Sequence, residues 1–178
     1  MTKPDAALLL LGAWLLGIAA MAAVALVNFG TVDRLLTEAP NATFSHGAAV
    51  LDARAEAPSA RDFLRFLVSE LNRTFFWQWG LAEAAIGAVL TLLVWPQGGR
   101  VRTVVVAMWM LTLLLTFGIT PPIVSVGRAL DFVPRDPAPP ELSTFGLLHA
   151  AYTMLDGVKL ALGFVAAFWI SKRWRPAN

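Results

Sequence analysis

The chain has 178 residues, of which 57% are hydrophobic and only 15% carry a charge. Soluble domains have a charged fraction of roughly 25%, so this composition predicts one integral membrane domain over residues 1–178. The formal net charge of only +2 gives no indication of nucleic-acid binding. The lack of cysteine excludes disulfides, thiolate metal sites and cysteine nucleophiles.

Four apolar segments are each long enough to cross a bilayer, for which about 20 residues suffice. They lie at about 6–29, 76–95, 101–119 and 145–170. The first begins like a secretory signal, but its apolar run is longer than the roughly 7–15 residues of a signal-peptide core. We therefore predict a spanning helix there as well. Trp14 and Trp109 lie inside spans and are predicted to pack between helices.

The region between the first two spans, residues 30–75, is polar and mixed in charge. Ser59 followed three residues later by Asp62 is typical of a helix N-cap. An apolar face follows at helical spacing, formed by Phe63, Phe66, Leu67 and Leu71. These features predict an outer amphipathic helix at the membrane surface, either between spans one and two or running on into span two. A helix packed on the outer loops is the alternative.

In the carboxyl half, Thr120-Pro121-Pro122 is expected to end or kink the third span, because proline cannot continue the backbone ladder. Residues 123–130 are predicted to add a short helix. Four prolines between residues 131 and 140 predict an extended loop. Residues 120–144 together form the second outer loop.

Basic residues near the ends of the spans set the orientation of a membrane protein. Six of them lie in the two chain ends and in the turn between spans two and three, namely Lys3, Arg100, Arg102, Lys172, Arg173 and Arg175. Only one acid, Asp5, lies among them, whereas the two longer loops carry acids and bases in similar number. This asymmetry predicts that both termini are cytoplasmic and that residues 30–75 and 120–144 face outward.

Ionisable residues inside the predicted spans are the most informative feature of the sequence. One helical face of span four carries His149, Tyr152, Asp156, Lys159 and Gly163 at three- and four-residue spacing. A charge at the centre of a bilayer costs roughly 2.5–3.5 kcal/mol on insertion scales. This face is therefore predicted to be enclosed by other helices or by another subunit.

Glu83 of span two lies at about the same depth as Asp156 and Lys159 when the spans are placed side by side. Two carboxylates against one ammonium leave one excess negative charge if all three groups are ionised. In a medium of low dielectric constant such a cluster takes up a proton or a cation. The alternative is structural: Lys159 pairs with Asp156 one turn away, and Glu83 bonds to a threonine or extends towards the outer interface.

His149 and Tyr152 are further candidates for a ligand or a hydrogen bond near the outer end of span four. The only other histidine is His46 in the first outer loop, so two histidines cannot hold a haem within the bundle. A copper site built from His46, His149 and a methionine is a weaker hypothesis, and we predict no metal and no cofactor. The spacings typical of hydrolases, kinases, nucleotide-binding proteins and zinc proteases are missing, so we predict that the protein is not an enzyme.

Two short motifs resemble a known family. Thr120-Pro121-Pro122-Ile123 follows span three, and Phe145-Gly146-Leu147-Leu148-His149 begins span four. The carboxyl half thereby resembles the bacterial four-helix membrane family of unknown function that is related to the eukaryotic transmembrane protein linked to platinum-drug tolerance. In that family a Pro-Ile-like exit from helix three and a Phe-x-x-x-His start of helix four recur.

This resemblance implies a small integral protein of the bacterial inner membrane and does not imply an enzyme. The chain departs from the family pattern in its longer, more polar first loop. It also departs at Asp156 and Lys159, where the family pattern leads us to expect uncharged residues.

These observations leave three hypotheses about function. The first is a non-catalytic multi-pass membrane protein that acts as an accessory or structural subunit, in contact with the lipid bilayer and with a membrane-protein partner or a second copy. The second is a small proton- or cation-responsive permease that uses Glu83, Asp156 and Lys159. The third is a metal- or cofactor-binding membrane protein with His149 as a ligand.

Overall fold

In the computed structural model the described residues are 3–54 and 58–172, and the regular elements among them are helical. The α-helices are α1 Lys3–Glu38, α2 Ala42–Asp52, α3 Ala60–Val94, α4 Gly99–Leu113, α5 Thr120–Ala129 and α6 Glu141–Lys172. A 3₁₀ turn, Trp95–Gln97, joins α3 to α4, and a π-helical segment, Leu114–Ile119, joins α4 to α5. The predicted all-α bundle is confirmed, and four helical stretches are long and apolar enough to cross a membrane.

The four long helical stretches form a closed ring, in which α1 and α4 each pack against both α3 and α6. Helix α1 has 36 residues, α3 has 35 and α6 has 32, which corresponds to lengths of about 48–54 Å at about 1.5 Å per residue. The hydrocarbon core of a bilayer is only about 30 Å thick. The helices therefore extend beyond the predicted spans, and most of the excess lies at the end that carries α2 and the loop after α5. We call this the outer end, following the predicted orientation, and the opposite end the inner end.

The amphipathic segment after Ser59 is the first part of α3 rather than a helix of its own. The Ser59 side chain accepts a hydrogen bond from the Asp62 backbone N–H, and the Asp62 carboxylate accepts one from the Ser59 N–H. This capping box confirms the predicted helix start. The helix then continues without a break to Val94, so of the two predicted arrangements the continuous one is correct.

A separate helix between the first two spans does exist, but it is α2, which the sequence patterns did not indicate. Its N-cap is Asn41, whose side chain accepts hydrogen bonds from the backbone N–H groups of Thr43 and Phe44. The helix is only 11 residues long and contributes no fully buried residue. Such a short segment lacks the long apolar periodicity that reveals a helix in a sequence.

The Thr120-Pro121-Pro122 motif changes the helix geometry instead of ending the helical stretch. The turns before it are π-helical, and the Thr120 hydroxyl donates a hydrogen bond to the Leu115 carbonyl at 2.8 Å. Prolines are accepted in the first turn of the next helix because the N–H groups there have no intrahelical partner. The predicted short helix is thus α5, and it directly continues the third apolar helix.

The apolar core occupies the inner half of the bundle. It is built from fully or almost fully buried residues of the four long stretches, namely Ala7, Leu11, Trp14, Ile18, Leu90, Val94, Val101, Val105, Met108, Ala166 and Ile170. Glycines allow close approach at its outer margin. A Cβ atom at Gly87 would overlap the Trp109 ring, and one at Gly163 would overlap the Leu15 side chain. Small residues of this kind are what brings membrane helices into contact.

Polar pairs join the helices at the outer end. Arg73 of α3 makes a two-fold contact with Asp131, at 2.8 and 3.0 Å, and also pairs with Glu70. Glu70 in turn accepts two hydrogen bonds of 3.1 Å from Arg128 of α5. We call these four residues the outer network. Hydrogen bonds from Arg128 and Arg73 lower the pKa of Glu70, which lies outside the apolar part of α3, to about 2.

Candidate functional site

Lys159 of α6 is the centre of the most unusual group of side chains in the bundle. Its side chain has no exposed surface, and its ammonium group lies 2.8 Å from both carboxylate oxygens of Glu83 and 2.8 Å from Oδ1 of Asp156. The ammonium carries three N–H donors, so three carboxylate oxygens match them in number. We call Glu83, Asp156 and Lys159 the buried cluster.

Glu83 lies across the bundle from Lys159, on α3, and its side chain is 2% exposed. Besides the two hydrogen bonds from Lys159, its Oε1 accepts one of 2.8 Å from Trp14 Nε1 of α1. Three helices therefore meet at this carboxylate. The structural alternative for Glu83, a bond to a threonine or an extension towards the outer interface, is wrong, because a lysine and a tryptophan satisfy it in the interior.

Asp156 differs from Glu83 in its surroundings. It lies one turn before Lys159 on the same helix, and its side chain is 23% exposed. The predicted pairing of Lys159 with Asp156 is confirmed, but Lys159 also pairs with Glu83. Sequence spacing indicates contacts within a helix, whereas the contact from α6 to α3 depends on how the two helices are rotated against each other.

The remaining candidates on the polar face of α6 lie outside the cluster. Tyr152 is half-buried, and its ring meets that of Phe76 edge-on at 6.0 Å between centroids. His149 is exposed and stacks on Phe145 at 5.9 Å. The exposure of this polar face of α6 thus decreases along the chain, from His149 through Tyr152 and Asp156 to the buried Lys159 and Gly163.

The proposed metal ligands do not come together in the described residues. His46 lies exposed on α2 and His149 lies exposed on α6. Within residues 3–54 and 58–172, three or more histidine or acidic side chains nowhere form a group suited to a metal ion. The copper hypothesis therefore has no geometric support in this part of the chain.

A cavity of about 540 Å³ lies at the outer end, between the end of α1, α2 and the start of α3. Its walls include Leu35, Phe44 and Ala48, with Asp52 and Arg61 as the charged residues. Asp52 accepts a hydrogen bond from the backbone N–H of Ala60, and Arg61 pairs with Asp33. Both charges are already engaged by the protein, as are the hydroxyls of Ser45 and Ser59, which also line the cavity.

Trp14 is the member of the site that the sequence did not indicate. It was expected to pack between helices, and it does so with no exposed surface. Its hydrogen bond to Glu83 gives it a second role. The available signal was weak: a tryptophan within a span, at a depth similar to that of Glu83.

Comparison of the chain with family models, with curated protein sequences and with solved structures finds no match. The resemblance to the four-helix bacterial family therefore remains a prediction. The chemistry of the site has to be argued from its own residues.

Proposed function

We propose that this chain is a non-catalytic accessory or structural subunit of a complex in the bacterial inner membrane, and that the buried cluster fastens its helices together. The observation that supports this most strongly is the satisfaction of Lys159 by carboxylates from two helices. Removing one partner from a buried ion pair typically costs about 3–5 kcal/mol. A cluster of this kind holds α3 and α6 in one relative position, as a subunit with a fixed binding face requires.

The distribution of apolar surface supports the same proposal. Large apolar side chains are more than half exposed on several helices, among them Leu16, Leu26, Leu92, Leu147 and Met154. Lipid covers such residues in a multi-pass protein, and a neighbouring subunit covers them equally well, because lipid tails and apolar side chains are similar in polarity. A four-helix bundle of this size has little interior of its own.

The subunit proposal is tested by measuring the mass of the particle that contains the chain after extraction from its native membrane in mild detergent. We expect a mass well above that of one 19.2 kDa chain with its micelle. The control is the same chain produced alone in a foreign host, where a larger particle indicates a second copy instead of a partner. A single chain from both sources would contradict the proposal.

A second candidate function is a proton- or cation-responsive permease centred on the buried cluster. The observation that favours it is the partial exposure of Asp156, since a transported ion must reach the cluster. The test is ion or proton flux into vesicles that contain the purified protein. Asp156→Asn should abolish flux, whereas Asp136→Asn, at an exposed loop position, should not. Absence of flux with the unaltered chain, or equal flux in both variants, would contradict this candidate.

A further inference from the structure

The buried cluster has one more acid than base. The layer of the bundle around it receives Glu83 from α3, and Asp156, Lys159 and Tyr152 from α6. From α1 it receives the uncharged Trp14. Helix α4 contributes no charged side chain to this layer among the described residues, since Arg100 and Arg102 lie at its inner end. With both carboxylates ionised, the layer would carry one uncompensated negative charge.

We propose that the buried cluster is a proton-binding site, in which the carboxyl groups of Glu83 and Asp156 hold one proton between them beside Lys159. An uncompensated charge in a medium of low dielectric constant is strongly unfavourable, and a carboxylate in that position is neutralised instead. This goes beyond the subunit role and gives the second candidate function its ligand. It does not depend on transport, because a proton can be bound without being moved across the membrane.

The two carboxyl groups differ in the number of donors that stabilise their charged form. Glu83 accepts three hydrogen bonds, two from Lys159 and one from Trp14. Asp156 has one cationic contact, to Lys159. Donors to the charged form favour it, and Glu83 has more of them than Asp156. The Asp156 side chain is the more exposed of the two, at 23% against 2%, so a proton reaches the buried cluster from the side of Asp156.

A neutral carboxyl group needs an acceptor for its own O–H, and the register of the helices points to Thr112. A Cβ atom at Gly80 would meet the Thr116 side chain, and one at Gly87 would meet Trp109. A step of seven residues along α3, from Gly80 to Gly87, therefore moves the contact seven residues back along the third helical stretch, from Thr116 to Trp109. Glu83, three residues after Gly80, is thus level with Leu113, the neighbour of Thr112.

The contact with α6 leads to Thr112 itself. A Cβ atom at Gly163 would lie 3.2 Å from Met108 Cε. Lys159 is one turn outward from Gly163, and Thr112 is one turn outward from Met108. Thr112 is fully buried, on the same face of α4 as Met108. Among the described side chains its Oγ1 has no hydrogen-bond partner. A threonine hydroxyl can both donate and accept, so Thr112, level with Lys159 and one residue from the level of Glu83, is suited to bond Glu83 in either protonation state.

The proton count tests the proposal directly. The carbonyl stretch of a neutral carboxylic acid is separated from the carboxylate bands in the infrared spectrum. Between about pH 8 and about pH 5.5 ordinary Asp and Glu side chains, with pKa values near 4, stay ionised. We expect the purified protein to show the band of one neutral carboxyl group in this range. The protein is measured in isotope-labelled lipid, so that the carbonyl groups of the lipid do not contribute to the band.

Variants change this count in a way that charge balance dictates. Asp156→Asn should remove the neutral carboxyl band, and Lys159→Met should double it, because both carboxylates then lack a cation. Asp136→Asn, in the exposed loop, should leave the band unchanged. Absence of the band from the unaltered protein throughout this pH range, or its persistence in Asp156→Asn, would overturn the proposal. This result leaves the subunit proposal untouched, because it measures protonation and neither mass nor flux.

A chemical probe assigns the proton to a residue even if a variant fails to fold. An apolar carbodiimide adds to a neutral carboxylic acid, and mass spectrometry of peptides locates the adduct. We expect modification of one carboxyl group of the buried cluster, Glu83 or Asp156, in the unaltered protein at neutral pH. Absence of an adduct from both residues would refute the proposal.

The role of Thr112 is tested against Thr91, a second buried hydroxyl without a partner among the described side chains. Thr91 lies eight residues further along α3 than Glu83, about 12 Å towards the inner end. Thr112→Val should shift the carboxyl band and the pH at which it disappears on alkaline titration, whereas Thr91→Val should shift neither. Identical spectra and titrations for the unaltered protein and Thr112→Val would exclude Thr112 as a positioning residue.

Discussion

The bundle contains two groups of charged side chains that differ in depth and in charge balance. The outer network pairs two acids, Glu70 and Asp131, with two bases, Arg73 and Arg128. The buried cluster sets two acids against the single base Lys159. The outer network is neutral as a whole and partly in contact with solvent, so it needs nothing further. In the buried cluster a cation likewise bridges two carboxylates, but the cluster has one positive charge fewer than it has negative charges.

This difference distinguishes the outer network, which only holds helices together, from the buried cluster, which is also a candidate functional site. In the outer network the donor groups of the arginine side chains, which have a fixed geometry, are bonded to carboxylates. Water screens the charge that is left over. At the buried cluster Lys159 and Glu83 are enclosed and only Asp156 is partly exposed, and we propose that a bound proton supplies the missing positive charge there. Four substitutions sharpen or break the contrast, and they are ordered by the size of the expected effect.

Lys159→Met should have the largest effect on stability. It leaves two carboxyl groups in the interior without a cation, at a cost of about 3–5 kcal/mol in the free energy of unfolding. The loss should become smaller as the pH falls, because the folded variant binds one proton more than the unaltered protein and a lower pH favours the state that binds more protons. Reversible unfolding in mixed micelles measures it, with Lys172→Met at the exposed helix end as the control. Equal stability of the two variants would show that the buried cluster does not fasten the bundle.

Trp14→Phe should have the next largest effect. It removes a hydrogen bond to a charged carboxylate, which contributes about 1.5–3 kcal/mol. Trp109→Phe is the matched control, since Trp109 Nε1 donates to the neutral carbonyl of Ala84 at 2.9 Å, a bond of about 0.5–1.5 kcal/mol. Unfolding of both variants under the same conditions gives the comparison. A larger loss for Trp109→Phe would mean that the charge on Glu83 is not the reason.

Arg73→Met should destabilise the outer network by about 1–3 kcal/mol, between the values for exposed and buried ion pairs. Its side chain is 14% exposed and Asp131 is 16% exposed. Because this network is close to solvent, added salt should reduce the difference between the variant and the unaltered protein. The difference caused by Lys159→Met should not respond to salt. A salt response in the buried variant and none in the outer one would reverse the proposed contrast.

Arg128→Met should have the smallest effect, near the limit of measurement, because Arg128 is exposed at the surface. The pKa of Glu70 is lowered to about 2 from an ordinary value of 4.5. A lowered carboxyl pKa stabilises the fold above the ordinary value, and this contribution is lost as the pH falls towards 2. The difference between Arg128→Met and the unaltered protein should therefore stay constant from about pH 8 to about pH 5. A difference that changes within that window would indicate another titrating group.

The sequence by itself determined the four apolar segments, the capped start of α3 at Ser59 and the common depth of Glu83, Asp156 and Lys159. These features depend on composition and on spacing within one helix, which the 3.6-residue period makes readable. The Lys159–Asp156 contact belongs to the same group, because its partners are one turn apart.

Only the tertiary structure decided that Lys159 also pairs with Glu83, that Trp14 donates to the same carboxylate and that Thr112 lies in this layer. Lys159 and Glu83 are 76 positions apart in the chain, and Trp14 and Glu83 are 69 positions apart. They depend on the rotation and the register of neighbouring helices, which small residues such as Gly80, Gly87 and Gly163 set through packing. A helix of mostly apolar residues can present many faces to its neighbours at similar cost, and the spacing of residues within it does not choose among them.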